Sequence, residues 1–132
     1  MAYKPWVYIA SPYTKGDVAI NVRSQLVAFD WLMNMGVIPI APLYSHFQHI
    51  FSPRPYRDWI DLDLEIVKRC DACLRLSAIC PMRDGTEYVQ TESSGADGEV
   101  AAFREMGKPV FFGLGPLEQW LAARERKEGT NV

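Results

Sequence analysis

W-V-Y-I-A, residues 6–10, is a short run of β-branched, aromatic and small apolar residues that stops at Ser11-Pro12. A run of this kind is typical of a strand buried on both faces of a parallel sheet. The pattern changes at Asp17, after which apolar residues recur at helical spacing until Gly36 ends the helix. Residues 37–41 predict a second strand, so the chain begins strand, helix, strand.

The same alternation continues to the end of the chain. Residues 42–55 predict a proline-interrupted aromatic loop, and a long polar loop is predicted from Ser77 through Gln90. Alternating strands and helices imply right-handed crossovers and a parallel sheet covered on both faces. We therefore expect a single-domain three-layer α/β/α sandwich of the Rossmann or flavodoxin type, with a four- or five-stranded parallel sheet in residues 1–127 and a disordered tail in residues 128–132. The further helices are predicted at residues 56–69, 93–107 and 116–127, and the further strands at residues 71–77 and 109–114.

Composition narrows the class of protein. The chain has 132 residues, 48% of them hydrophobic, and a formal net charge of -2, which leaves no excess of cations to neutralise a nucleic-acid polymer. The first residues do not form a signal peptide, and no segment is long enough to cross a bilayer, so we expect a cytoplasmic protein that does not bind membranes.

Three cysteines, Cys70, Cys73 and Cys80, do not form a secreted disulfide framework, and we expect reduced thiols. Zinc is the alternative, because Cys70 and Cys73 form a C-x-x-C and His46 and His49 lie upstream. The histidine spacing is tighter than in common zinc modules, and Cys73 lies in a strand-like run, so no metal is predicted.

Two carboxylates fall on helix faces that should pack against the sheet. Helical spacing places Glu99 in line with Phe103, and Asp63 in line with Trp59 and Val67. Desolvating a charge costs several kcal/mol unless the group is hydrogen-bonded or used. Buried ion pairs or helix caps remain open as the structural alternative, but both positions lie near the edge where parallel sheets bind ligands.

Hydroxyl-bearing residues cluster near the same edge. Ser93, Ser94 and Gly95 open the third helix, where free N–H groups attract anions, although a simple helix cap explains them equally well. After the first strand, Ser11 and Thr14 complete a candidate phosphate cradle. Neither the P-loop spacing nor G-x-G-x-x-G is present.

Motifs along nearly the whole chain resemble the nucleoside 2-deoxyribosyltransferase family, including its 2′-deoxynucleoside 5′-monophosphate N-hydrolase branch. The motifs are V-Y-I-A-S at residues 7–11, D-L-x-x-x-x-x-x-D at residues 63–71, S-x-G-x-x-x-E at residues 93–99 and A-x-x-x-x-G-K-P at residues 102–109. The resemblance implies that Glu99 is the nucleophile, that Asp63 protonates the base or positions the sugar, and that Tyr8 orients Glu99. His46, in the loop after the second strand, is a further candidate for substrate binding, with a structural role as the alternative.

The resemblance also implies the reaction. The enzyme would cleave the N-glycosidic bond of 2′-deoxynucleosides or their 5′-monophosphates through a covalent glycosyl-Glu intermediate, by transfer to another base or to water, without cofactors. Ser93 stands where the transferases usually have aspartate and the hydrolases a phosphate-binding serine, which favours a nucleotide. The loop S-P-Y-T-K-G after the first strand differs from the hydrolases' glycine- and arginine-rich loop. A homodimer or higher homo-oligomer is expected, with Trp120 in the interface.

Two other readings of the sequence stay open. A non-catalytic nucleotide-binding or regulatory module could keep the fold and the anion site. A flavodoxin-like or response-regulator domain fits the topology, but the acidic cluster expected after its first strand is missing.

Overall fold

The computed structural model describes residues 3–130, with side chains up to Lys127. It consists of a parallel sheet, a separate hairpin and five α-helices. A short 3-10 helix, Pro42–Tyr44, follows the second strand. In chain order the elements are β1 (Trp6–Ala10), α1 (Val18–Asn34), β2 (Ile38–Ile40), α2 (Ser45–Phe51), α3 (Tyr56–Val67), β3 (Ala72–Arg75), β4 (Ala78–Pro81), β5 (Glu87–Gln90), α4 (Ser94–Glu105), β6 (Val110–Phe112) and α5 (Leu114–Thr130).

The main sheet has four parallel strands in the order β2-β1-β3-β6. In its register, Tyr8 of β1 lies between Ile40 of β2 and Cys73 of β3. The chain goes from β1 to one side and then returns to the other side for β3, so the strand order reverses between β1 and β3. A crevice at the carboxyl ends of these two strands is the expected place for a ligand.

Alternating residues of the strands point into two cores. On one face, Val7 and Ile9 pack against α1 and α5; on the other, Tyr8 and Ala10 pack against α3 and α4. The central strands are buried on both faces, because their side chains alternate in direction while helices cover each face. This arrangement confirms the predicted single-domain α/β/α sandwich with a four-stranded parallel sheet.

The predicted loop at residues 42–55 is wrong in part, because it contains the 3-10 helix and α2. None of the residues of α2 is buried. The apolar residues of this helix, Phe47, Ile50 and Phe51, face solvent, and seven residues are too few to show the repeated periodicity that identifies longer helices.

The predicted polar loop through Gln90 is also wrong in part. Residues 78–90 form an antiparallel hairpin, β4 with β5, outside the main sheet. Its turn contains Asp84-Gly85, with Gly85 at a φ of 87°, which is a strong local signal for a hairpin that the sequence interpretation overlooked.

The last helix starts at Leu114 and continues past Lys127 to Thr130. The backbone of residues 128–130, which were predicted as part of the tail, therefore belongs to α5, whereas residues 131 and 132 lie outside the described residues. Among residues 3–130 no helix has both the length and the apolar character that crossing a bilayer requires.

Candidate active site

A cavity of ≈ 450 Å³ lies where β1 and β2 end and where α4 begins. The fold brings together eight of the nine site residues predicted from the sequence, and only Tyr8 lies outside the cavity wall. The wall also contains aromatic and aliphatic residues from the segment that follows β2. Its residues are Ser11, Tyr13, Thr14, Lys15, Gln25, Pro42, Leu43, Ser45, His46, His49, Tyr56, Trp59, Ile60, Asp63, Leu64, Ser93, Ser94, Gly95, Ala96, Gly98 and Glu99.

Glu99 and Asp63 face this cavity from α4 and α3, which pack side by side on one face of the sheet. Neither carboxyl forms an ion pair or a hydrogen bond with the described side chains, and Asp63 Oδ1 is buried without a partner. Desolvation by burial raises the pKa of Glu99 to about 8 and the pKa of Asp63 to about 7. The one cation in the described cavity wall, Lys15, pairs with Glu92 instead, so neither carboxyl has an ion pair to offset this desolvation.

Tyr8 is fully buried beneath α4, where its ring lies 5.7 Å from that of Phe103. Its hydroxyl has no hydrogen-bond partner among the described residues. In this structure Tyr8 therefore does not orient Glu99 through a hydrogen bond. The same core cluster includes Val100, the residue next to Glu99, so Tyr8 supports the segment of α4 that carries the carboxyl group.

Gln25 of α1, which sequence reasoning missed, organises the floor of the cavity. Its side-chain amide donates to Ser11 Oγ over 2.8 Å and to the Ile9 carbonyl over 3.1 Å, and its oxygen accepts from Leu43 N over 2.9 Å. The amide thus ties the end of β1 to the segment after β2. Gln25 lies one helical turn after Val22 on the buried side of α1, so the rule that singled out Glu99 could have found it.

The loop after β1 is held by α1 and by the hairpin. Asn21 Nδ2 donates to the carbonyls of Tyr13 and Lys15 over 2.9 and 2.8 Å, and its oxygen accepts from Tyr88 Oη over 3.0 Å. A side chain at Gly16 would lie 2.2 Å from that hydroxyl, and the φ of Gly16 is 87°. The hairpin therefore fixes the loop that carries Thr14 to the cavity.

The start of α4 presents free backbone groups beside these hydroxyls. Ser93 is the N-cap, and its Oγ accepts from Ala96 N over 3.1 Å, which leaves its own hydroxyl hydrogen free to donate. Gly95 keeps this entrance open, because a Cβ there would lie 3.3 Å from Tyr56 Oη. The arrangement suits an anion, since the N–H groups and the positive end of the helix dipole face the cavity.

Arg75, at the end of β3, anchors the connection that leads into α4. Its guanidinium, with a side chain only 6% exposed, donates to the carbonyls of Thr91 and Leu76 over 2.6 and 2.7 Å and lies 3.4 Å from Asp97 Oδ1. Sequence reasoning missed this arginine, because a charge in a predicted strand gives no sign of its partners. Arg75 fixes the position of the Ser93 cap without lining the cavity.

His46 and His49 both line the cavity. His46 Nδ1 lies 2.7 Å from Tyr13 Oη, which joins α2 to the loop after β1. Burial raises the pKa of the Cys70 and Cys73 thiols to about 11 and about 12, as expected for inert core residues. The described residues contain no cluster of three His, Cys, Asp or Glu side chains arranged to hold a metal ion.

The site combines two desolvated carboxyls with hydroxyl and N–H donors in one cavity. Carboxyls of raised pKa can exchange protons with a substrate near neutral pH, and an ionised carboxylate can attack an electrophilic carbon. These properties fit acid–base or nucleophilic chemistry on a bound ligand. Comparison with known proteins adds no assignment, because no protein-family model matches the chain and no curated protein is significantly similar to it.

Proposed function

We propose that this protein is an enzyme that cleaves the N-glycosidic bond of 2′-deoxynucleosides or their 5′-monophosphates. The observation that carries the proposal is the pair Glu99 and Asp63, which face one cavity without a counter-ion. Structural carboxyls in a core normally form ion pairs or hydrogen bonds. Two desolvated carboxyls in one cleft without such partners indicate acid–base or nucleophilic chemistry.

In the first step, the ionised Glu99 attacks the anomeric carbon of the sugar. The bond from this carbon to a Glu99 oxygen forms while the bond to the base nitrogen breaks, and the bonding electron pair leaves with the base. Asp63, as the acid, gives its proton to the departing base. The oxocarbenium character of the sugar in the transition state is stabilised by the adjacent carboxylate.

In the second step, water or another base attacks the same carbon and releases Glu99. The proton lost by the attacking water or base goes to Asp63, which restores the starting state. Two displacements at one carbon retain its configuration. No redox step or electron carrier is involved, so no cofactor is part of the proposal.

The reaction requires one ionised and one protonated carboxyl. With pKa values of about 7 and about 8, the singly protonated pair is abundant near neutral pH. Burial raises the pKa of both carboxyls, so the free protein can hold the shared proton on either of them. Hydroxyl groups of a bound sugar can donate to Glu99, lower its pKa and thereby move the proton toward Asp63.

A nucleotide is the substrate that the rest of the cavity favours. The N-terminus of α4, with Ser93 and Ser94, offers donors to a phosphate, while Ser11 and Thr14 come from the loop after β1. The hydroxyl of Ser11 accepts from Gln25 and keeps its own hydrogen for a ligand. His46 lies in the same wall as a further contact.

The second candidate is a non-catalytic nucleotide-binding module. The raised pKa of Glu99 favours it, because a carboxyl that stays neutral in the free protein can serve as a hydrogen-bond donor instead of a nucleophile. The two candidates differ in what Glu99→Gln does. The substitution leaves binding intact in both cases, but it abolishes base release only if the protein is an enzyme.

The test is incubation with the four deoxynucleosides and their 5′-monophosphates, with and without a second free base, followed by chromatography of the bases. We expect release or exchange of base by the unmodified protein and none by Glu99→Gln. Glu105→Gln, a substitution of an exposed glutamate near the end of the same helix, is the matched control and should keep full activity. Base release that survives in Glu99→Gln contradicts the mechanism.

We further propose that the protein forms a homodimer, and the supporting surface differs from the one expected. Trp120 is partly buried against Phe111, with ring centroids 5.4 Å apart. The larger exposed apolar surface belongs to α2, where Phe47, Ile50 and Phe51 are 51%, 65% and 85% exposed. An exposed apolar helix face of this kind is typical of a protein interface.

A further inference from the structure

His49 of α2 is held by two hydrogen bonds to one ring nitrogen. The indole N–H of Trp59 donates to His49 Nδ1 over 2.9 Å, and the backbone N–H of Arg54 donates to the same atom over 3.2 Å. The two rings meet edge to face, with centroids 5.8 Å apart and planes at 75°. A nitrogen that accepts two N–H groups carries no proton, so the neutral ring is protonated on Nε2.

The Nε2–H group has no hydrogen-bond partner among the described residues, although His49 is partly buried and lines the cavity. The same cavity wall contains the aliphatic side chains of Ile60 and Leu64 of α3. The Nε2–H group remains accessible and is free to donate to a ligand that enters the cavity. Trp59 lies one helical turn before Asp63, so the histidine belongs to the side of the cavity where the general acid stands.

We propose that His49 is a specificity-determining residue that donates a hydrogen bond from Nε2 to an acceptor atom on the base of the nucleoside or nucleotide. Trp59 is its positioning residue, because the indole fixes both the ring orientation and the tautomer. The inference rests on the proposed function, since it assigns the base-binding part of the same cavity. Nucleobases carry ring-nitrogen and carbonyl acceptors, whereas the donors at the start of α4 suit the phosphate at the other end of the ligand.

The experiment measures binding in a protein that carries Glu99→Gln, so that no turnover occurs. The probes are the four deoxynucleosides and their 5′-monophosphates, together with 2-deoxyribose and 2-deoxyribose 5-phosphate, titrated by calorimetry. The sugar probes lack the base but keep every other contact. They therefore report whether a change at His49 has disturbed the rest of the cavity.

Two substitutions at His49 separate its two nitrogens. His49→Asn keeps an oxygen that accepts from Trp59 but has no donor at the Nε2 position, whereas His49→Gln places an amide N–H near that position. We expect His49→Asn to weaken binding of the preferred nucleoside or nucleotide about 10-fold and to leave the sugar probes unchanged. His49→Gln should stay within about threefold of the parent for the base-containing ligand.

The outcomes distinguish the two proposals. Equal binding by the parent and His49→Asn overturns the role of His49 while leaving the proposed function intact, and so does an equal loss for the base-containing and sugar probes. If no deoxynucleoside or deoxynucleotide binds to the Glu99→Gln protein, the proposed function itself fails. A selective loss of base-containing ligands, restored by His49→Gln, supports the assignment.

Discussion

The burial of Glu99 predicts that its replacement makes the protein more stable. Burial moves the pKa of this carboxyl from 4.5 to about 8. The folded protein therefore holds the proton more tightly than the unfolded chain does. The contribution of the protonated carboxyl to the free energy of unfolding is fully present below the unfolded pKa and is lost as the pH rises through the folded pKa. The Glu99→Gln variant carries a neutral group of similar shape and escapes this loss.

The magnitude follows from the shift of the pKa. Each unit corresponds to about 1.4 kcal/mol, so the full loss above the folded pKa is about 5 kcal/mol. At about pH 7 the loss is about 3 kcal/mol, and at about pH 5 it is about 1 kcal/mol. The difference in stability between Glu99→Gln and the parent should therefore grow as the pH rises.

The assay is urea unfolding of both proteins at about pH 5, 7 and 9, followed by fluorescence. We expect the free energy of unfolding of Glu99→Gln to exceed that of the parent by an amount that grows by about 4 kcal/mol across this range. Glu105→Gln, at an exposed site on the same helix, should change stability by under about 1 kcal/mol at every pH. Parallel stability curves for the parent and Glu99→Gln would refute the claim that this carboxyl is desolvated and unpaired.

Three further outcomes are expected. The pH profile of kcat/KM for base release should be bell-shaped, because the active form holds one proton. Its limbs should lie near the pKa values of Asp63 and Glu99, about 7 and about 8, and a flat profile contradicts the shared proton. Arg75→Met should lower the free energy of unfolding by about 3 kcal/mol, since it leaves the carbonyls that accept from the arginine without a donor. The control Arg57→Met, at a side chain that is 88% exposed, should change the free energy of unfolding little. Phe51→Asp should convert a dimer to a monomer in light scattering, and an unchanged dimer mass would place the interface elsewhere.

The sequence predicted the main sheet because its strands are buried on both faces. Residues 6–10 read as an apolar run for this reason, and the order of elements then determined where the strand ends would meet. The inward carboxyls were found by a related argument, since Glu99 interrupts an apolar helical stripe. Burial of one face of a regular helix or strand produces a periodic pattern of apolar residues in the sequence, so these features could be predicted.

The remaining features produce no such pattern. The helix α2 has only seven residues and the strand Glu87–Gln90 only four, and none of them is fully buried, so neither segment gives a periodic pattern long enough to be recognised. Arg75 acts through partners that are distant in sequence and are identified only by the fold. Gln25 and Asp84-Gly85 are the exceptions, because the buried position on α1 and the turn signal were both present in the sequence and were not used.

The raised pKa values connect folding with the proposed chemistry. A cavity that excludes water makes an ionised carboxyl costly, so the free protein keeps Glu99 largely neutral near pH 7 and limits the loss of stability. A sugar that donates hydrogen bonds to Glu99 supplies the stabilisation that the protein lacks, and its binding favours ionisation of the nucleophile. Because Asp63 faces the same cavity, the displaced proton can move to the acid that the departing base requires. The lack of an ion-pair partner for Glu99 thus leads to two linked predictions, a loss of stability at high pH in the free protein and the proposed ionisation of Glu99 once a ligand is bound.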